Sequence, residues 1–230
     1  KKVGFAFVSH AHTDHAVRHK EILCTKETAK FYEHRYGKVK FHILEYNRPV
    51  KLEGWKIKLF PSGHILGGAQ ILLEKNGVRI VYTGDFKLRG SLTAKKAEIK
   101  KCDVLILEST FGLPQYVFPP AEEVHAQMVD FVETTQKRGG TPIFLAYSLG
   151  KAQEAMKILS QSGYELSVHG TIAPFAKIYE EFGVKFKSWE SYSSGNLENK
   201  VMIVPPWVKS SRIVEKISRK RIAILTGWAV

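Results

Sequence analysis

Three histidines and one aspartate fall within six residues, His10-Ala11-His12-Thr13-Asp14-His15, directly after Ser9. Residues two apart on an extended segment point to the same side, so His10 and His12 are placed to grip one metal ion together. Asp14 and His15 lie just beyond, where the chain turns, and can face a second ion. Neutral imidazole with carboxylate suits zinc, and manganese is the alternative where oxygen ligands dominate. Exposed loop histidines without a ligand are the competing account, and the density of the run argues against it. Two further segments add to the set. Ser62-Gly63-His64-Ile65-Leu66-Gly67-Gly68-Ala69 puts a histidine at a strand end among glycines that allow close backbone approach. Tyr82-Thr83-Gly84-Asp85-Phe86 puts an aspartate directly after a strand, where its two oxygens could bind one ion each. Together these residues point to a two-metal hydrolase.

The elements that must hold them read as an α/β chain. Val3–Val8 is a short apolar strand that delivers the histidine run at its end. Ile22–Thr25 and Phe41–Leu44 read as strands flanking a helix, Lys26–Tyr36, stopped by Gly37. Trp55–Phe60 alternates as a strand with one wet face. Ile71–Glu74 and Val78–Tyr82 form a hairpin across Asn76-Gly77, the strongest short-range hairpin signal. Asp103–Leu107 is a continuous apolar strand ending at Glu108. After Gly112 the rhythm changes. Pro114, Pro119 and Pro120 make a break, and a helix follows over Glu122–Lys137. Strands at Pro142–Tyr147, Glu165–His169 and Val201–Val204 alternate with helices at Gly150–Ser160, Pro174–Phe182 and Val208–Arg219, which reads as a parallel α/β unit. Ile222–Leu225 is a last strand.

The formal net charge of +13 favours polyanionic partners, nucleic acid first and a membrane surface second, and a lysine-rich solvated surface that binds nothing accounts for it about as well. Residues 1–112 hold 21 Lys and Arg against 11 Asp and Glu, and the remainder holds 14 against 11, so the excess lies with the metal motif. No apolar run approaches the ~20 residues of a membrane helix. No signal-peptide pattern is visible, and the two distant cysteines, Cys24 and Cys102, read as reduced core thiols. These features imply an intracellular, cytoplasmic protein with no membrane partner.

The His-x-His-x-Asp-His run, the Ser-Gly-His segment and Thr-Gly-Asp, in this order, resemble the metal motifs of the metallo-β-lactamase superfamily. Leu105-Ile106-Leu107-Glu108-Ser109-Thr110-Phe111-Gly112 resembles the first signature of its β-CASP branch of nucleic-acid-processing nucleases. Three further stretches, Phe111–Pro114, Ala146–Gln153 and Thr226–Trp228, are similar to bacterial ligase-associated exonucleases and their archaeal messenger-RNA 3′-end processing relatives.

The resemblance implies a metallo-β-lactamase αββα sandwich (residues 1–112), an inserted α/β β-CASP cap (113–218) and a return strand to the core (219–230). It implies that His10, His12 and His64 hold one divalent ion, that Asp14 and His15 hold another, and that Asp85 lies between them. Asp14 would also orient the nucleophile, and Glu108 would be the acidic β-CASP residue. In the family that residue pairs with a histidine that assists the leaving group. That histidine and one ligand of the second ion have no counterpart here, so the resemblance also implies further chain beyond both ends.

Ser148-Leu149-Gly150-Lys151 joins a strand to a helix start whose amides would attract phosphate, and an ordinary Ser cap explains it equally well. We read Ser148, Gly150 and Lys151 as substrate-binding residues. Trp55, Trp189, Trp207 and Trp228 could stack bases but read first as packed, and His19, His34, His42, His125 and His169 read as surface or supporting residues. The resulting expectation is a nuclease acting on single-stranded nucleic acid, foremost a DNA exonuclease working with repair proteins. An RNA-processing nuclease, with processing partners, is the alternative. A small-molecule metallo-hydrolase and a binding subunit without catalysis are weaker alternatives.

Overall fold

The computed structural model describes residues 3–193 and 197–229. It divides into two compact units, Lys1–Thr110 and Phe111–Val230.

In the first unit, β1 (Phe5–Phe7), β2 (Glu21–Cys24) and β3 (Lys40–Ile43) form a parallel sheet in that order. Side chains on a strand alternate between faces, and β2 shows what that accomplishes. Ile22 and Cys24 point to one side and pack with Ala29 and Tyr32 of the helix α1 (Lys26–Tyr36). Leu23 points to the other side and packs with Ile57, Leu59 and Ile71 of the second sheet. That sheet runs β4 (Val50–Leu52), β5 (Trp55–Pro61), β6 (Ala69–Lys75), β7 (Val78–Tyr82), β8 (Val104–Ile106). Its pairings are antiparallel up to β7, and β8 then joins in parallel. The unit is therefore an α-β-β stack with its core between the sheets, in keeping with the expected sandwich. Phe60, Leu72 and Val81 line the far face of the second sheet, where Cys102 covers them.

Local chemistry sets the boundaries. Thr25 caps α1, its hydroxyl accepting from Thr28 N at 3.2 Å, and Gly37 ends it at φ 81°. Asn76 and Gly77 both adopt positive φ, 52° and 81°, as a two-residue hairpin turn requires.

In the second unit five strands run parallel in the order β11 (Trp189–Ser191), β10 (Glu165–Val168), β12 (Lys200–Val204), β9 (Thr141–Leu145), β13 (Lys220–Ile224). α2 (Ala121–Lys137) leads into β9, and α3 (Lys151–Gln161) and α4 (Ala173–Glu181) lie in the connections β9–β10 and β10–β11. Phe144 packs on Phe131 of α2 at 5.2 Å between ring centroids, while Ile143 and Leu145 face the opposite side with Met202, Val204 and Val214.

Four expectations change. The helix expected over Val208–Arg219 is a 3-10 turn, Pro206–Val208, and one short helix, α5 (Arg212–Glu215). Ser211 is extended (ψ 157°) and resets the chain before α5. The last strand, expected to return to the core, pairs in parallel with β9 from Lys220↔Thr141 to Ile224↔Leu145 and so belongs to the second sheet. β4 and β11 were not expected from the sequence. Trp207 and Trp228, expected to be packed, are 69% and 61% exposed.

Candidate metal centre

The first unit brings its candidate ligands together at the ends of β1, β5 and β7. β1 stops at Phe7, and Val8 N still donates to Leu23 O at 3.0 Å, which holds the following residues against β2. Ser9 O accepts from Ala69 N at 2.8 Å, tying the start of the histidine run to β6. The chain then turns, with His15 N and Ala16 N both donating to His12 O at 3.1 and 2.9 Å. His10 points inward and is 1% exposed.

His64 sits on a loop between β5 and β6, closed by Ser62 N→Gly68 O at 3.0 Å and Gly68 N→Ile65 O at 2.9 Å. Thr25 and Thr28, at the start of α1, donate their hydroxyls to Gly67 O at 2.7 and 3.0 Å and anchor this loop. Gly63 adopts φ 76°, and a Cβ there would overlap the Lys87 carbonyl oxygen. Only glycine lets the two loops touch at that point. Asp85 follows β7, carried by Thr83-Gly84 packed against Ser9.

One ligand atom from each of His10, His12, His64 and Asp85 lies within 4.8 Å of the others. His12 Nδ1 is 3.1 Å from His10 Nε2 and 3.2 Å from His64 Nε2. Asp85 Oδ2 is 3.6 Å from both His10 Nε2 and His64 Nε2. Four ligands held at ~2.0–2.1 Å around a tetrahedral zinc stand about 3.3–3.4 Å apart. These four separations bracket that value and all four atoms stay within 4.8 Å, so the donor set fits one divalent ion in chemistry and in compactness. The other carboxylate oxygen, Asp85 Oδ1, is 3.2 Å from His15 Nε2, which is itself 3.6 Å from Asp14 Oδ2.

Electrostatics agree with a site prepared for positive charge. Burial, aided by the neighbouring His12, His64 and His15, pushes His10 far below the ordinary histidine value and keeps it a neutral ligand. Burial likewise raises the Asp85 carboxyl, His15 opposes that, and Glu108 and Asp14 add to it. Glu108 therefore lies within the field of Asp85, and its own Oε2 accepts from Thr110 N at 2.8 Å.

Of the residues expected from the sequence, His10, His12, His64 and Asp85 come together in one group, His15 meets that group at Asp85, and the largely exposed Asp14 meets His15. Ser9 had no assigned part. Its hydroxyl is buried 3.0 Å from His10 Nδ1, and with Nδ1–H donating to it His10 Nε2 faces the other ligands. Its position next to the first ligand was the signal available. Ser148, Gly150 and Lys151 lie in the second unit. Gly150 N donates to Gln153 Oε1 at 2.7 Å and Gln153 Nε2 to Ser148 O at 2.9 Å, so one amide expected to face phosphate already has an acceptor.

Comparison with known proteins bears on the same residues. A family model described as "Beta-lactamase superfamily domain" matches residues 1–145. A protein of Opitutus terrae named "Probable DNA ligase" is 37% identical over 98% of this chain and 22% of its own length. An "RNase J-like protein" of Methanocaldococcus jannaschii is 33% identical over 70% of this chain and 44% of its own. An "Endoribonuclease ysh1" of Schizosaccharomyces pombe is 32% identical over 51% of this chain and 16% of its own. The chain thus spans less than half the length of these relatives. Among the described residues, no helix is long and apolar enough to cross a membrane.

Proposed function

The chain belongs to the metallo-β-lactamase superfamily, its relatives are consistent with the β-CASP nuclease branch, and from that premise we propose that it is a metal-dependent nuclease hydrolysing phosphodiester bonds. The observation that carries this reading is the convergence of His10 Nε2, His12 Nδ1, His64 Nε2 and Asp85 Oδ2 within one ion's reach, with the second Asp85 oxygen turned to His15. His10, His12, His64 and Asp85 hold one ion, and Asp14, His15 and Asp85 contribute to a second. The pair is zinc, with manganese as the substitute. When bound, such ions supply charge relief on the phosphate and acidify a water to near pH ~7. Asp14, the more exposed of the two aspartates, orients the attacking water, and Glu108, which lies within the field of Asp85, is a further acidic residue of the site.

The substrate is single-stranded nucleic acid. The similarity that covers nearly the whole chain is to a protein named as a DNA ligase, which favours DNA and exonucleolytic trimming in repair inside the cell. A second reading, RNA processing, draws on the relatives named as an RNase J-like protein and an endoribonuclease. The net charge of +13 supports both, through phosphate contacts that weaken with salt.

The test is cleavage of end-labelled single strands of DNA and RNA by the full-length protein with zinc or manganese, with chelator, and beside Asp14→Ala. Metal-dependent cleavage lost in the variant supports the nuclease, and the product ladder separates the two readings. A folded, metal-loaded protein that cuts neither strand overturns both.

A further inference from the structure

The second unit gathers exposed aromatic groups and a small polar network at one end of its parallel sheet. β10, β12 and β9 are neighbours and run the same way, so their carboxyl ends lie side by side. The ladder extends one residue past two of them, with His169 N donating to Ile203 O and Ala146 N to Val204 O, each at 2.9 Å. Beyond these ends come His169-Gly170-Thr171 after β10, Tyr147-Ser148 after β9, and Pro205-Pro206-Trp207 after β12. From β9 the chain proceeds to β10 on one side, and later to β13 on the other. Such a reversal in an open parallel sheet leaves a crevice outside the carboxyl ends where ligands bind.

The groups there have a definite donor pattern. Thr171 N lies 3.2 Å from His169 Nδ1, and a backbone N–H can only donate, so Nδ1 is the acceptor. The ring then carries its proton on Nε2, for which the described residues supply no acceptor. Burial keeps His169 below the ordinary histidine value, so the ring is neutral near pH 7. Thr171 Oγ1 is 2.9 Å from His169 Nδ1 and 3.3 Å from Ser148 Oγ, which links the loops after β10 and β9.

Trp207 packs edge-to-face with His169, 5.4 Å between centroids at 86°, and so is held in place while 69% of it stays exposed. Tyr147, on the adjacent strand end, is 61% exposed. Two large aromatic surfaces left in water beside a fixed N–H donor suit a planar ligand with acceptors on its edge.

We propose that the carboxyl ends of β9, β10 and β12 form a base-stacking subsite for single-stranded nucleic acid, with Trp207 as the platform, Tyr147 as a second aromatic face, and His169 Nε2–H as the donor. This rests on nucleic acid being the substrate class. Stacking of this kind is tolerant of sequence, because every base has a π-face. It also contributes little to the salt dependence, because no phosphate is neutralised.

The experiment is fluorescence anisotropy of labelled ten-nucleotide single strands, oligo-dT and oligo-U, on the chelated full-length protein, compared with Trp207→Ala and Trp207→Phe. Circular dichroism checks that each variant is folded. Trp207→Ala is expected to bind about tenfold more weakly, with the salt slope unchanged, and Trp207→Phe to recover most of the loss. Parent-like binding by Trp207→Ala, while the parent still binds and cleaves, overturns the subsite and leaves the nuclease reading standing. A parent that neither binds nor cleaves any strand overturns both.

Discussion

Asp85 and His15 meet at 3.2 Å, Oδ1 to Nε2, while the other oxygen of the same carboxylate faces His10 and His64. One carboxylate thereby faces two groups of side chains. The placement costs something without cations, because burial and the neighbouring Glu108 and Asp14 raise the Asp85 carboxyl above its ordinary value. A divalent ion on either side removes that penalty.

Asp85→Asn keeps the shape and removes the bridging charge. We expect the metal content of the purified protein to fall from two ions towards one or none per chain, and cleavage to fall at least about a hundredfold. Elemental analysis with a single-turnover assay reads both. Parent-like stoichiometry in Asp85→Asn would remove the bridge from this account.

Ser9→Ala tests the support behind the first ligand. Loss of its hydrogen bond with the buried His10 Nδ1 leaves the ring free to change tautomer or tilt. Partners of this type are worth about 10–100-fold in metal affinity. Competition with a chromophoric chelator measures the change, and Ser9→Thr, which keeps the hydroxyl, is expected to lose less than Ser9→Ala.

Why the centre could be read from the chain, and much else could not, comes down to separation along it. His10 to His15 are local, and the period of two on an extended segment fixes their directions. α1 was equally legible, because Thr25 and Gly37 mark its ends and its period is long enough to see. Asp85 and His64 were placed by strand-end position and by resemblance, since nothing in the spacing brings residues 10, 64 and 85 together. Ser9 Oγ on His10 was hidden because a serine beside a histidine has many uses. The partner of β13 was misread for a related reason. A short apolar strand carries no record of which sheet it joins, and the backbone register with β9 decided it. Trp207 was expected inside because tryptophan usually is, and only its place after β12, following Pro205-Pro206, leaves it in solvent.

Cys24 yields a pH prediction. Burial, with a smaller part from Glu27, pushes its thiol up to about 12. In the unfolded chain it ionises near 9, so this contribution to stability is fully present below pH 9. It is lost as pH rises from there towards 12, at up to about 1.4 kcal/mol per unit. At pH 8 the native thiol should resist iodoacetamide and react only as fast as the protein opens, whereas the half-buried Cys102 should label sooner. Mass spectrometry of the labelled peptides decides it. Equal labelling of both at early times would show that the core around Cys24 is open.

Gly84 separates a role in the fold from a role in the site. Its φ is 53°, and a Cβ would stand 2.5 Å from Ser9 Cβ and 2.6 Å from Ser9 Oγ. Gly77 has φ 81° in the hairpin turn, with nothing within 4 Å of the Cβ position. Alanine at either position incurs the left-handed backbone cost of about 1–2 kcal/mol. Only Gly84→Ala must also displace Ser9, and with it the hydrogen bond on His10 and the loop that carries Asp85. Both variants should therefore melt several degrees below the parent. Metal affinity should fall about tenfold or more in Gly84→Ala and stay at the parent value in Gly77→Ala. Calorimetry and chelator competition on the two proteins give both quantities. If Gly84→Ala lost stability but bound metal like the parent, the contact with Ser9 would matter to packing alone, and the orientation of His10 would have to come from the surrounding ligands.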